Sequence, residues 1–140
     1  MKMIDNRSGF EVLDRRECLR LLAGEDVGRV GVVEAGSPLV LPVNFGMDGD
    51  IIVFRTGPGT KLSEARGHPA CFEVDHFDRE SKAGWSVVVR GRMEEVTEHS
   101  PALLARLAHL AEPWLEGDRT HVVRIVPSSI TGRRVPGPRP

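Results

Sequence analysis

The chain has 140 residues, with 19 Lys and Arg against 20 Asp and Glu for a formal net charge of -1, and it is 40% hydrophobic and 28% charged. This is globular composition, long enough to bury a core and read as one domain over residues 1–140, ending in the Pro/Gly tail Pro136-Gly137-Pro138-Arg139-Pro140. Balanced charge with no basic stripe argues against a general nucleic-acid binder; no apolar run approaches a membrane span, and the N-terminus lacks the apolar stretch of a signal peptide, so a cytoplasmic location is expected.

In chain order, Leu13 to Gly24 reads as a helix. Asp14 is its cap, Glu17 completes a capping-box pattern, Cys18, Leu21 and Leu22 form its apolar face, and Gly24 is its stop. Val27 to Val33 reads as a strand, closed by the turn formers Gly36-Ser37-Pro38, and Leu39 to Phe45 as a second. Asp48-Gly49 is a hairpin signal, both central residues of such turns favouring positive φ, and Ile51 to Arg55 returns as a third strand. Gly57-Pro58-Gly59 cannot continue a ladder, so the chain turns away there into a short helix from Lys61 to Arg66 capped by Thr60.

A fourth strand is expected from Ala70 to about Asp75, a polar loop from Asp78 to Gly84, and a long strand from Trp85 to Val96 with Val87 and Val89 on one face. Ser100-Pro101 starts a second helix running to about Ala108, with Leu103, Leu104 and Leu107 inward. The last strand is expected from His121 to Val126. Short strands at hairpin spacing with few helices predict a mainly β, closed or nearly closed antiparallel barrel. The two cysteines, Cys18 and Cys71, sit among apolar neighbours and read as reduced core residues.

Chemistry is concentrated where Arg55, Thr56, Thr60 and Lys61 crowd the end of a hydrophobic strand. Arginine offers phosphate a bidentate fork, lysine a point charge, threonine a neutral donor, and a helix start adds free backbone N–H groups. The same residues also suit a solvated loop with a helix cap. Trp85 fits either a barrel-core anchor or a ligand contact; Trp114, after a proline in a loop, suits stacking near a cofactor or filling a subunit contact. The five histidines are scattered without metal-binding spacing, and no metal site is expected. No serine sits in a nucleophile elbow and neither cysteine neighbours a base, so no catalytic residue is assigned and hydrolase chemistry has no support.

The segments Pro42-Val43-Asn44, Ile52-Val53-Phe54-Arg55-Thr56, Gly59-Thr60-Lys61, Gly84 to Gly91 and Ile130-Thr131-Gly132-Arg133-Arg134, in that order, resemble the FMN-binding split barrels, the family of pyridoxamine 5'-phosphate oxidase and its small flavin-binding relatives. The resemblance spans Leu13 to Arg134. It implies a split antiparallel β-barrel with a few flanking helices and FMN held at a homodimer interface. Arg55, Thr56, Thr60 and Lys61 would hold the phosphate; Pro42, Val43 and Asn44 would run beside the isoalloxazine ring, with Trp85 and Ser86 on a neighbouring strand and Phe54 within the matching run. True pyridoxamine phosphate oxidases carry a longer C-terminal part, which weighs against vitamin B6 oxidation.

The reading is a flavin-dependent oxidoreductase acting on a small reducible substrate. One alternative replaces FMN by a deazaflavin, for which Arg15-Arg16 or Arg133-Arg134 would supply extra positive charge; another is a non-enzymatic flavin or haem carrier or sensor. An oligonucleotide-binding barrel needs aromatic platforms, and aromatics are only 5% with no Tyr.

Overall fold

The computed structural model describes residues 3–4, 9–57, 67–96, 101–114 and 121–138. The elements are β1 (Met3–Ile4), β2 (Glu11–Leu13), α1 (Arg15–Ala23), β3 (Val27–Glu34), β4 (Ser37–Asp48), β5 (Ile51–Thr56), β6 (Pro69–Asp78), β7 (Ala83–Glu95), α2 (Pro101–Leu110) and β8 (His121–Val135). The expected helix after Thr60 and the cap at Ser100 lie outside the described residues.

Six strands close a ring in the order β8-β5-β4-β3-β6-β7, with β7 pairing back onto β8, and β2 then β1 extend from β8. Every pairing is antiparallel. β8 makes the split. Its first residues, His121 to Ile125, lie beside β5, whereas Gly132 to Arg134 lie beside β2, and β7 runs along the other edge of both halves. The sheet is therefore the expected split antiparallel barrel.

Period-two patterning puts the core inside. On β6, Ala70, Phe72 and Val74 are buried; on β7, so are Val87, Val89 and Met93. They meet Leu22 of α1, Val30, Phe45, Phe54 and Ile125 in one cluster. Each large apolar side chain fully buried there contributes about 1.5–3 kcal/mol relative to exposure. The Phe45 and Phe72 rings meet edge to face, 5.0 Å between centroids. Opposite faces of a strand point opposite ways, and on β5 both are covered: Phe54 enters the barrel core, while Val53 joins Val122, Val96, Leu107 and Ala111 in a second cluster under α2. Among the described residues the barrel's outer face is thus closed by α2 over β5 and open over much of β3, β6 and β7.

The turns refine the expectations. Glu34 pairs with Ser37, so Ala35 (φ 48°) and Gly36 (φ 79°) are the central residues of the first hairpin, both left-handed. Asp48 pairs with Ile51, so the second turn is centred on Gly49 and Asp50, one residue beyond the expected pair, and only Gly49 takes positive φ. Both helices grip that tip: Arg15 donates to Asp50 (2.7 Å) and Arg106 to Asp48 (3.1 Å).

At α1, the Glu17 N–H donates to Asp14 Oδ1 (2.9 Å), as a cap should. The Glu17 carboxylate does not return to the cap; it accepts from Arg20 and from Arg134 of β8, and these partners hold it down at about 2.

Two expectations are corrected. Cys18 is fully buried, but Cys71 is exposed, because it alternates with Ala70 and Phe72 and faces outward. β8 does not end at Val126. It continues through Pro127 because the β7–β8 register shifts there: Pro127 opposes Gly91, Ser129 opposes Arg90, and Ser128 is the extra residue, its Oγ donating to the Arg90 carbonyl (3.0 Å).

Candidate functional site

The ladder places the sequence-predicted residues before any side chain is considered. Val27 of β3 pairs with Asn44 of β4, and Arg29 with Pro42. The β4–β5 register, which pairs Phe45 with Phe54, carries Arg55 alongside Asn44. Pro42, Asn44, Val27 and Arg55 therefore share the outer face, on three adjacent strands. The chain following α2 comes down beside them, and the result is a cleft of about 310 Å³ bordered by Val27, Pro42, Val43, Asn44, Arg55, Pro113 and Trp114.

The cleft has a mixed lining: apolar Val27, Pro42, Val43 and Pro113, the aromatic Trp114, the amide of Asn44 and the cationic Arg55, which enters from the β5 side. The end of α2 can approach because residue 46 is glycine: a Cβ there would lie 1.9 Å from the Leu110 carbonyl oxygen. Asn44 then fixes the chain beyond the helix, its Oδ1 accepting from the Trp114 N–H (2.9 Å).

The other predicted residues are distributed differently. Phe54 is fully buried and Thr56 is 6% exposed beside His121, so neither side chain borders the cleft. Trp85 and Ser86 lie on β7, opposite His76 and Asp75 of β6. β3 and β6 separate them from Asn44, three strand spacings or about 14 Å. Trp85 packs against the barrel core. Thr60 and Lys61 lie outside the described residues. Sequence reasoning did not place Val27 and Pro113 at the site. The Val27–Asn44 pairing depends on hairpin register, which the residue pattern of either strand alone does not reveal.

Next to the cleft on the same face, Arg29 stands 3.6 Å from Glu73 and 3.9 Å from Asp75. Glu73 Oε1 is the one buried side-chain polar atom without a hydrogen-bond partner among the described residues. Burial pushes the Glu73 carboxyl up to about 7, the neighbouring Asp75 adds to the rise, and Arg29 opposes it. The folded chain therefore keeps this proton while the unfolded chain loses it near 4.5. Stability from this group is full below 4.5, falls as pH rises towards 7, and is flat above. Thermal melts across that window should show a steeper loss for the wild type than for Glu73→Gln; superimposable profiles would contradict the assignment. Among the described residues no three His, Cys, Asp or Glu side chains are grouped to hold a metal ion. No described helix is long and apolar enough to cross a membrane.

The sequence model of the pyridoxamine 5'-phosphate oxidase family matches residues 14–134, every described element from α1 to the end of β8 within one residue. The chain belongs to this family. Among its relatives is the uncharacterized protein Rv0080 of Mycobacterium tuberculosis, 37% identical over 129 residues, 88% of this chain and 84% of that one. A FAD binding protein of Mycobacterium smegmatis superposes with a TM-score of 0.71 at 32% identity, covering 90% of this chain and 98% of that chain. A Corynebacterium glutamicum protein provisionally named pyridoxamine 5'-phosphate oxidase superposes with a TM-score of 0.77 at 35% identity, covering 91% and 98%. In this member of the family, the cleft lies on the outer face of the barrel where β3, β4 and β5 meet the chain beyond α2.

Proposed function

We propose that the chain is a flavin-dependent oxidoreductase that holds FMN in the cleft beside Arg55 and acts, as a homodimer, on a small reducible molecule. The observation that carries this is the convergence on one cleft of apolar residues, an aromatic residue and an arginine, the three kinds of group a planar ring with a phosphate tail requires. The flavin binding of the similar Mycobacterium smegmatis protein supports the same reading. Arg55 holds the phosphate, joined by Thr60 and Lys61, which follow it in sequence, while Thr56, buried beside His121, supports the strand end; the β4 backbone at Pro42, Val43 and Asn44 runs along the ring, with Phe54 behind as the buried support of Arg55's strand. When bound, the flavin supplies the electron transfer; the chain binds it, orients it and limits water at one side.

Trp85 and Ser86 take part only if they come from a second copy, since one chain keeps them two strands away from the cleft. The homodimer answers this. Val33 and Val40 are 64% and 63% exposed on the open outer face, around a groove of about 450 Å³ that also borders Cys71. Apolar area of this kind on a sheet face favours burial against a partner. Light scattering should give twice the chain mass; a monomer that still binds FMN tightly would remove the dimer from the account.

The absorbance spectrum of the purified protein, followed by titration with FMN, a deazaflavin and hemin, tests the cofactor. FMN binding at lower concentration than the deazaflavin supports the reading, preference for the deazaflavin transfers it to that cofactor, and binding of hemin alone supports a carrier instead. A cytoplasmic location belongs to the same proposal.

A further inference from the structure

Trp114 is 71% exposed, yet its backbone is held firmly. The indole stands between the 310 Å³ cleft and a second hollow of about 420 Å³ bordered by Asp26, His109 and Glu112. Its place is set from the main chain. The Leu110 carbonyl rests on the bare Cα of Gly46, and the Trp114 N–H donates to Asn44 Oδ1. Asn44 is itself oriented, its Nδ2 donating to the Asp26 carbonyl (3.4 Å), which also accepts from the Phe45 N–H (3.1 Å). A large indole left in water forfeits burial worth about 25 cal/mol per Å². Fixing such an exposed side chain through its backbone suits a surface whose partner arrives later.

We propose that Trp114 is the ring-stacking wall of the cleft and that Asn44 is its positioning residue, acting on the ligand through Trp114. This rests on the flavin reading above and deepens it by giving the Asn44 and Trp114 side chains separate, separable roles. A planar aromatic ligand lies between the indole and the apolar pair Val27 and Pro42, with its charged end towards Arg55. Asn44 then matters because its carboxamide sets how far the wall stands from that pair; the β4 backbone contact to the ring is a separate matter. Gly46 acts in the same way, and a methyl group there pushes the end of α2 outward.

The test is a titration of the full chain with FMN for the wild type, Asn44→Ala, Trp114→Ala and the double variant, with circular dichroism confirming that each is folded. Trp114→Ala should weaken binding about tenfold, and Asn44→Ala about three- to tenfold. The double variant should bind no more weakly than Trp114→Ala alone, because Asn44 has nothing to position once the indole is gone. Emission from bound FMN, quenched by contact with the indole, should rise in Trp114→Ala at saturation. Additive losses in the double variant overturn the role of Asn44. Wild-type affinity in Trp114→Ala overturns the stacking wall while the flavin reading stands, and so does wild-type affinity with loss of the dimer, which would make Trp114 a subunit contact. If the wild type takes up no FMN, the flavin reading itself fails.

Discussion

Replacing Arg55 with Ala should raise the dissociation constant for FMN by about 10- to 150-fold and leave riboflavin, which lacks the phosphate, unaffected. The magnitude follows from losing a charge-assisted hydrogen-bonding group, worth about 1.5–3 kcal/mol, at about 1.4 kcal/mol per decade of affinity. Arg55 fits this role by place: it is half-buried at the end of β5, alongside Asn44, and borders the cleft. Lys61→Ala should add a further loss of the same kind. An equal fall for FMN and riboflavin would mean that Arg55 shapes the cleft without contacting phosphate, and no change for either would remove Arg55 from the site.

The second large effect concerns the barrel. Phe72 is fully buried, and its ring passes over the bare Cα of Gly28 on β3: a Cβ at position 28 would come within 2.3 Å of Phe72 Cε1 and Cζ. Phe72→Ala should cost about 3–5 kcal/mol through lost burial and the cavity left behind, lowering the melting temperature by about 10 °C or more. Gly28→Ala should also destabilise, by forcing the ring off its rotamer or the strands apart. The two changes should not add. Once the ring is gone the nearest remaining atom to the new methyl is Val74 Cγ2, at 3.1 Å, so the double variant should be more stable than the sum of the single losses allows, by about 1 kcal/mol or more. Denaturant midpoints for the four proteins measure this; strict additivity would mean that Gly28 is tolerated for some reason other than the Phe72 ring.

Much of the fold was legible because local signals and tertiary packing agree. The cap at Asp14, the stop at Gly24, the alternation in β7 and Pro101 as the first helical residue all act over a few residues, and each reappears in the structure. What was misread depends on contacts between distant segments. Pro127 looks like the end of a strand until the bulge opposite Gly91 removes the need for its missing N–H. β2 is three residues long and exists because the end of β8 offers it an edge. The exposure of Cys71 was available in the pattern: Glu73 and Asp75 mark the outward face of β6, and Cys71 shares their parity.

Part of the candidate cleft was legible as well. Pro42, Val43, Asn44 and Arg55 were named from sequence and border one cleft, because they sit on neighbouring strands of a short hairpin whose register local turns determine. Val27 and Pro113 were not placed there, since they reach it through the β3–β4 register and the return of the chain after α2. Trp85 and Ser86, assigned to the site by the family resemblance, lie on β7 on the far side of β6 from the cleft, so a role for them there needs the proposed second copy.

The most direct test of that account is a crystal structure of the FMN-saturated protein. The account predicts the phosphate within hydrogen-bonding distance of the Arg55 guanidinium, the ring against Pro42 to Asn44, and β7 of a second copy closing the other side. Flavin bound elsewhere, with the cleft between Arg55 and Trp114 left to solvent, would contradict it.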